Sequence, residues 1–348
     1  MLGNGTALWI IFILVIGIAI AIDLGLIGRL KKVFKRQASA IEKNGALEQE
    51  KQQQPFKQAL MWTIVWIGLA AVFAILVLVN MGYDKMLEFV TGYTLEKSLS
   101  VDNMFVFLLI FSTLAIPYPY QHKVLTVGIL SAIAMRIPLI LVGVSLLESF
   151  HWMIYIFGGL LVITAIRMIL QKKGKKIDME KNIGVRLLRK VIPITTELNG
   201  NKFFTKKNGI LFATPMLVAL VIVEMTDLVF AIDSIPAVLA ITSDPFIVIT
   251  SNIFAILGLR SLYFLLAGMM EKFYYLKPAL VALLLFVGFK MIVVDFVKLP
   301  ISISLLVIGS ILATALVLSY IRTSQHSKES IGIAESRGKN QDDSPVPR

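Results

Sequence analysis

Two short stretches of this chain place carboxylates inside segments that are otherwise apolar. EKSLSVDN contains Glu96 and Asp102, and DLVFAIDS contains Asp227 and Asp233, with five residues between the acids in each stretch. An ionised carboxylate in the interior of a bilayer costs at least ~2.5–3.5 kcal/mol. Acids that recur at the same spacing in such segments therefore indicate a site that is neutralised by protons, arginines or a metal ion.

The residue types around these acids favour a hard divalent cation. Carboxylate, amide and hydroxyl oxygens suit Mn²⁺, Mg²⁺ and Ca²⁺, whereas the chain contains no cysteine for thiolate ligands or disulfides. The acids predicted to serve the site are Glu96, Asp102, Glu224, Asp227 and Asp233. The residues predicted to support these acids, or to act as their counter-ions, are Asn103, Ser234, Arg136, Arg260 and Asp23.

The charge balance of the predicted site requires further positive charge. Two arginines near mid-span, Arg136 and Arg260, cannot balance five carboxylates, so a divalent cation together with protons is expected to supply the remainder. Static ion pairs that fix helix packing are the alternative, and it stays open for the isolated Asp23 and for both arginines. Arg167 lies near a predicted span end, where its side chain is expected to extend to the membrane surface.

The spacing within each acid pair poses a geometric problem. Six residues correspond to about 240° around an ideal helix, so the two acids of a pair would not point in one direction. We therefore expect either a local break, near Ser98–Ser100 and beside Pro236, or a site that uses only one acid of each pair. Lys97, next to Glu96, is interpreted as an interfacial anchor.

The elements that must position these residues are transmembrane helices. The chain of 348 residues is 57% hydrophobic and only 16% charged, and its mean hydropathy is +0.80. Apolar runs near 20 residues match a hydrocarbon core of roughly 30 Å, and we predict an all-α, polytopic helical membrane protein. The nine predicted spans are about 7–29, 58–80, 96–115, 123–147, 152–170, 210–236, 246–270, 277–296 and 301–321.

The basic residues predict the orientation of these spans. One set of loops and tails carries 27 Lys and Arg residues and the opposite set only 2. This places the N-terminus outside and the C-terminus in the cytoplasm, so the net charge of +12 does not imply nucleic acid as a partner; the expected partner is the lipid bilayer. The basic linker that begins QKKGKK is either a topology determinant or a segment that contacts anionic lipid.

The acid pairs belong to a longer internal repeat. Arg136 and Arg260 follow the two acid stretches, and Arg167 and Lys290 follow at similar distances. Three spans in each copy give an inverted repeat, with the site expected at the interface of the copies. The chain then divides into a first span and cytoplasmic linker (1–57), a second span and external loop (58–95), repeat one (96–170), a basic cytoplasmic linker (171–209), repeat two (210–296), a ninth span (297–322) and a disordered cytoplasmic tail (323–348).

Three longer stretches, GYTLEKSLSVDNMFVF, VEMTDLVFAIDSIPAVLAITSDPF and TSNIFAILGLRSLYFLLAGMMEKF, resemble the TerC/Alx family of integral membrane proteins. The resemblance extends from Ala21 to Phe296. The family is named for tellurium resistance, and its Alx-like members are similar to manganese exporters of the bacterial inner membrane. The resemblance implies a Mn²⁺ route lined by the five acids given above, with Mn²⁺ as transported substrate.

The function expected from this combination is export of Mn²⁺ in exchange for protons. A second hypothesis is delivery of the metal to secreted enzymes beside the secretion machinery, at the translocon. A third is an intramembrane aspartyl hydrolase, although the Gly-x-Gly-Asp motif of such enzymes is absent from the sequence. Transport without catalysis is therefore expected, and the sequence leaves the oligomeric state open.

Overall fold

The described part of the chain is built almost entirely from α-helices. The computed structural model describes residues 4–23, 55–170, 182–207, 209–267, 275–297 and 299–342. Its helices are, in chain order, α1 (Asn4–Asp23), α2 (Pro55–Met81), α3 (Tyr83–Thr113), α4 (Tyr118–Ser149), α5 (Met153–Leu170), α6 (Ile183–Val191), α7 (Pro215–Leu239), α8 (Pro245–Ile256), α9 (Leu259–Ala267), α10 (Leu276–Ile292) and α11 (Ile301–Asp342). One antiparallel hairpin, β1 (Phe204–Lys207) and β2 (Ile210–Ala213), accompanies them. The predicted all-α membrane class is confirmed.

Several of these helices have the length and composition of membrane spans. Within the described ranges these are α2, α4, α5, α7 and the first part of α11, and the bent pair α8–α9 would be a sixth. Their outer faces are apolar, since Ile64, Ile75 and Ile163 are all more than half exposed. Helices α1, α3 and α10 cover the other three predicted spans but are shorter in their apolar part or carry charges. The count of nine spans therefore stays a prediction.

The predicted breaks at the two acid pairs do not occur. Helix α3 is continuous through Ser98–Ser100, where the Ser98 hydroxyl donates to the Thr94 carbonyl at 2.6 Å. Pro236 lies within the last turn of α7, and the helix continues past it because a missing N–H so close to the end removes only one backbone bond. Both predicted breaks are therefore absent, and these two predictions are wrong.

A break occurs instead between α8 and α9, where the chain bends by 40°. Gly258 adopts a φ of 77° there, in the left-handed region. The Lys97 ammonium donates to the carbonyls of Ala255 at 3.1 Å and Leu257 at 3.3 Å, which satisfies acceptors that a helix end leaves without partners. Lys97 thus stabilises the break, which corrects its interpretation as an interfacial anchor.

The break also predicts a strong requirement for glycine at position 258. A Cβ atom there would lie 2.4 Å from Cδ1 of Trp66, and the left-handed conformation adds roughly 1–2 kcal/mol for any other residue. We expect Gly258→Ala to lower the free energy of unfolding by about 2–3 kcal/mol, measured as thermal stability in detergent. Gly309→Ala is the control, since a Cβ there meets nothing within 4 Å; equal stability of the two variants would show that position 258 does not require glycine.

The two groups of helices assigned to the repeats pack in a reciprocal way. Helix α3 packs on α8, and α4 packs on α7. Helices α3 and α7 contact each other, as do α5 and α10, and Gly158 and Gly288 allow the close approach of the second pair. If α3, α4 and α5 are exchanged with α7, α8 and α10, respectively, the same helix pairs result. This is the pattern that an inverted repeat predicts, although the repeat itself stays a prediction.

The segment between α5 and α7 is more structured than a linker. After residues 171–181, which lie outside the described ranges, it contains α6 and the β1–β2 hairpin, with Phe204 opposite Ala213. Residues 210–213 therefore form a strand, and the helix that was predicted from 210 begins at Pro215. At the other end, α11 continues to Asp342, into the tail for which composition predicts disorder; that stretch contains helix-forming Glu, Lys and Ala and no proline before Pro345.

Candidate ion site

A buried arginine joins two of the predicted site acids. Arg136 in α4 is 1% exposed; its Nη2 lies 2.9 Å from Oδ1 of Asp227 and its Nε 3.2 Å from Oδ2, a bidentate pair with α7. Its Nη1 donates to Oε1 of Glu96 in α3 and, at 3.3 Å, to Oδ1 of Asn252 in α8. One guanidinium therefore connects four helices and faces two carboxylates.

The surrounding helices bring these groups together through close backbone contacts. Gly92 lies one turn before Glu96, and a Cβ atom there would be 2.9 Å from Oγ of Ser251 and 3.3 Å from Cγ1 of Val238. The absence of a side chain at Gly92 thus lets α3 approach α8 and α7. This approach positions Asn252, the neighbour of Ser251, beside the guanidinium.

Several polar atoms of this cluster have no hydrogen-bond partner among the described residues. They are Oε2 of Glu96 and Nδ2 of Asn252, and Oγ of Ser100, one turn further along α3, is in the same state. A buried polar atom left in that state costs ~1–3 kcal/mol, and with two carboxylates against one guanidinium the cluster carries a formal charge of −1. The cluster thus has one carboxylate oxygen without a described partner, on Glu96, and the charge to accept a proton or a cation.

A cavity of about 750 Å³ lies between α3, α5, α7 and α10. Its polar lining consists of Asn103, Thr164, Arg167, Asp233 and Ser234. The Thr164 hydroxyl donates to Oδ1 of Asp233 at 2.9 Å, and Oγ of Ser234 has no partner within the described part of the chain. Both polar residues that follow the repeated aspartates therefore face this cavity, one from each predicted repeat.

The other predicted site residues lie elsewhere or outside the described side chains. Glu224 faces α4, where a Cβ atom on Gly128 would be 3.2 Å from its Oε1. Arg260 in α9 donates to Oγ1 of Thr126 in α4 at 3.3 Å. Asp102 belongs to α3, and Asp23 is the last residue of α1, but the side chains of both lie outside the described residues.

The described acids do not converge on one shell in this conformation. No three acidic or histidine side chains of the described residues form a metal-binding group. Asp227 pairs with Arg136, whereas Asp233 lines the cavity. The arginine cluster and the cavity therefore each contain only one acid of the second pair. This matches the second geometric alternative, in which the two acids of a pair serve different partners.

Three polar residues around these acids were not predicted as site residues. Asn252 and Thr164 gave no signal, because single amides and hydroxyls in apolar helices are common. Arg167, which was expected at the membrane surface, is exposed and also lines the cavity with Asp233. The repeat offered a sequence signal for Arg167, because it pairs this arginine with Lys290. Lys290 is buried, at 9% exposure.

The contact between Thr164 and Asp233 gives a direct test of the cavity. Thr164→Val keeps the shape of the side chain but removes the hydrogen bond to the carboxylate, a bond worth about 1.5–3 kcal/mol. For a divalent cation bound in this cavity, we expect roughly a tenfold loss in apparent affinity, measured as the concentration dependence of Mn²⁺ binding to the purified protein. Thr164→Ser restores the hydroxyl and is expected to behave as wild type; an equal loss in both variants would contradict the assigned contact.

The fold and the buried charges together define a polytopic membrane protein with an ionisable interior. A family model described as the integral membrane protein TerC family matches residues 81–327. The chain belongs to this family, which confirms the resemblance carried by the acid motifs.

Individual relatives are similar over nearly the whole chain. An uncharacterized membrane protein, STKORF319, of Myxococcus xanthus is 49% identical over 93% of this chain and 94% of the relative. The putative membrane-bound redox modulator Alx of Photorhabdus laumondii is 42% identical, covering 90% and 94%. Its namesake in Escherichia coli K12 is 41% identical, covering 92% and 97%. No solved structure matches this chain.

Proposed function

We propose that this protein exports Mn²⁺ across the bacterial inner membrane in exchange for protons. The observation that carries the proposal is the buried cluster of Arg136, Glu96 and Asp227, with its excess carboxylate, together with the cavity that Asp233 lines. The proposed orientation has the N-terminus outside and the C-terminus in the cytoplasm, and it rests on the distribution of basic residues.

Oxygen chemistry supports a hard cation in the cavity. Asp233, Thr164, Asn103 and Ser234 offer carboxylate, hydroxyl and amide oxygens from α3, α5 and α7. Mn²⁺ accepts such ligands, and Arg167 in the same lining would be displaced or repelled as the cation enters. Asp102 immediately precedes Asn103 and is the acid proposed to join it.

Arg136 provides the means by which binding is coupled to a change of conformation. In the described state the guanidinium holds Glu96 and Asp227 and links α3, α4, α7 and α8. A divalent cation that reaches these carboxylates competes with the guanidinium, and the link between the helices weakens. Protonation of a carboxylate from the other side of the membrane then lowers the affinity for the metal and releases it.

A second ionic cluster supports closure at one end of the helix bundle. Lys85 lies 2.8 Å from Glu88 and 3.3 Å from Asp244, and the Thr242 hydroxyl donates to Glu88 at 2.5 Å. These contacts connect the start of α3 to the segment between α7 and α8. In the proposed orientation they close the outer end of the α3–α7–α8 interface.

The metal-delivery hypothesis shares this transport chemistry and differs only in the destination of the ion. The relatives named redox modulators are compatible with both, because a chain without cysteine would influence redox state through metal supply and not through its own thiols. An aspartyl hydrolase fits less well, since Asp227 is bound to Arg136 while Asp233 faces a separate cavity.

The proposal is tested in cells by manganese content and by growth under Mn²⁺ load. We expect Asp233→Ala and Asp102→Ala to accumulate manganese and to lose resistance, because each removes a carboxylate from the proposed route. Glu148→Ala is the matched control, since Glu148 is an exposed acid at the end of α4. Wild-type manganese levels in both aspartate variants, at wild-type expression, would overturn the assignment.

A further inference from the structure

The short helix α6 presents three different surfaces around its axis. Its buried side, at Gly184 and Val185, packs against α7, where a Cβ atom on Gly184 would lie 2.6 Å from Met225 and 2.8 Å from Val221. The Asn182 side chain caps its first turn by accepting from the Val185 N–H at 3.2 Å. The helix is thus fixed to α7, and its remaining surface faces outward.

One outward sector of α6 is an apolar stripe. Ile183, Leu187 and Val191 follow each other at four-residue intervals and are 70%, 55% and 85% exposed. Side chains at this spacing share one face of a helix. This stripe is not covered by any described part of the chain, and burying such side chains would be favourable by roughly 1.5–3 kcal/mol each.

The adjacent outward sector is basic. Arg186, Arg189 and Lys190 are all exposed, and α6 contains no acidic residue. The sectors follow one another around the helix in the order packed, apolar and basic. An apolar stripe beside a positively charged sector is typical of helices that lie at the surface of an anionic bilayer.

The position of α6 in the fold supports contact with the bilayer. It runs alongside the first three turns of the predicted transmembrane helix α7, with Gly184 near Met225 and, beyond its end, Ile194 paired with Ala213. The hairpin that follows has the same character, since Leu211 is 50% exposed and lies opposite Lys206. The segment from 171 to 208 contains eleven Lys and Arg residues.

From these contacts, exposures and charges we infer that α6 packs along the first turns of α7 and binds anionic lipid around it. Ile183, Leu187 and Val191 insert among the acyl chains next to α7, and Arg186 and Lys190 bind lipid phosphates. In this arrangement α6 holds α7, the helix that carries Asp227 and Asp233, at a defined depth. The inference is independent of the metal that the protein transports.

The test uses single-cysteine variants, which are unambiguous because the chain has no cysteine of its own. Full-length Leu187→Cys is labelled with an environment-sensitive fluorophore and reconstituted in phosphatidylcholine vesicles with or without phosphatidylglycerol. We expect blue-shifted emission and quenching by brominated lipid, both stronger with phosphatidylglycerol. Thr196→Cys, an exposed polar position after α6, is expected to remain aqueous in both vesicles.

Removing the basic charges tests whether anionic lipid, and not another occupant, covers the apolar stripe. Adding Arg186→Gln and Lys190→Gln is expected to lower the preference for phosphatidylglycerol by roughly fivefold for each charge removed. A probe at position 187 that stays aqueous in every vesicle would overturn the inference. Blue-shifted emission that increases with protein density and is not quenched by brominated lipid would also overturn the inference. In that case a second copy of the chain, and not lipid, would cover the stripe.

Discussion

Replacing Arg136 with methionine is expected to lower the free energy of unfolding by about 3–5 kcal/mol. Methionine keeps much of the side-chain volume but leaves Glu96 and Asp227 buried with no positive partner in the cluster. Arg136→Lys retains the charge but cannot reproduce the two-point contact with Asp227, and we expect an intermediate loss. Thermal denaturation of the purified variants in detergent measures both effects.

A triple variant distinguishes the charge imbalance from the loss of packing. Combining Arg136→Met with Glu96→Gln and Asp227→Asn removes all three formal charges at similar volume. We expect it to be more stable than Arg136→Met alone, because the desolvated carboxylates are gone, but inactive in transport. Equal stability of Arg136→Met and wild type would show that the ion-pair cluster does not hold these helices together.

Replacing Asp233 with asparagine is expected to lower manganese flux by at least about 100-fold. The change keeps the shape of the side chain and its contact with Thr164 but removes the negative charge from the cavity. Loss of partners outside the ligand shell already reduces metal affinity by about 10–100-fold, and loss of the carboxylate that we propose as a direct ligand should cost more. Flux of Mn²⁺ into vesicles that contain the purified variant measures the effect.

The matched control for Asp233→Asn is Glu148→Gln, which neutralises an exposed acid at the end of α4. Glu148→Gln should transport as wild type. Both variants should retain the thermal stability of wild type to within about 1 kcal/mol, since Asp233 is only partly buried. Wild-type flux in Asp233→Asn would remove the cavity from the proposed route.

The sequence was sufficient for the class of fold, because long apolar runs and buried charges admit few structures in a membrane. It also identified the arginine that joins the acids, since Arg136 is one of two arginines near mid-span. The sequence did not reveal the positions of the helix breaks. Pro236 is a strong local signal, yet the real break depends on Gly258, Trp66 and Lys97, which come from distant parts of the chain.

The arrangement of the site was only partly accessible for the same reason. Equal spacing predicted that the two acid pairs are related, but not that Asp227 would bind Arg136 while Asp233 lines a cavity. Partners such as Asn252 and Thr164 are brought to these acids by helix packing. Their residue types are too common in apolar helices to be recognised from sequence.

The most direct test of the proposed function is flux through the wild-type protein in proteoliposomes with a pH-sensitive dye inside. With Mn²⁺ inside and an outward metal gradient, transporters whose metal-releasing side faces outward should release metal and carry protons inward. We predict that the lumen acidifies together with Mn²⁺ efflux and that Asp233→Asn abolishes both signals. Proteoliposomes that retain Mn²⁺ under this gradient, or Mn²⁺ efflux without any change in lumenal pH, would contradict proton-coupled manganese export.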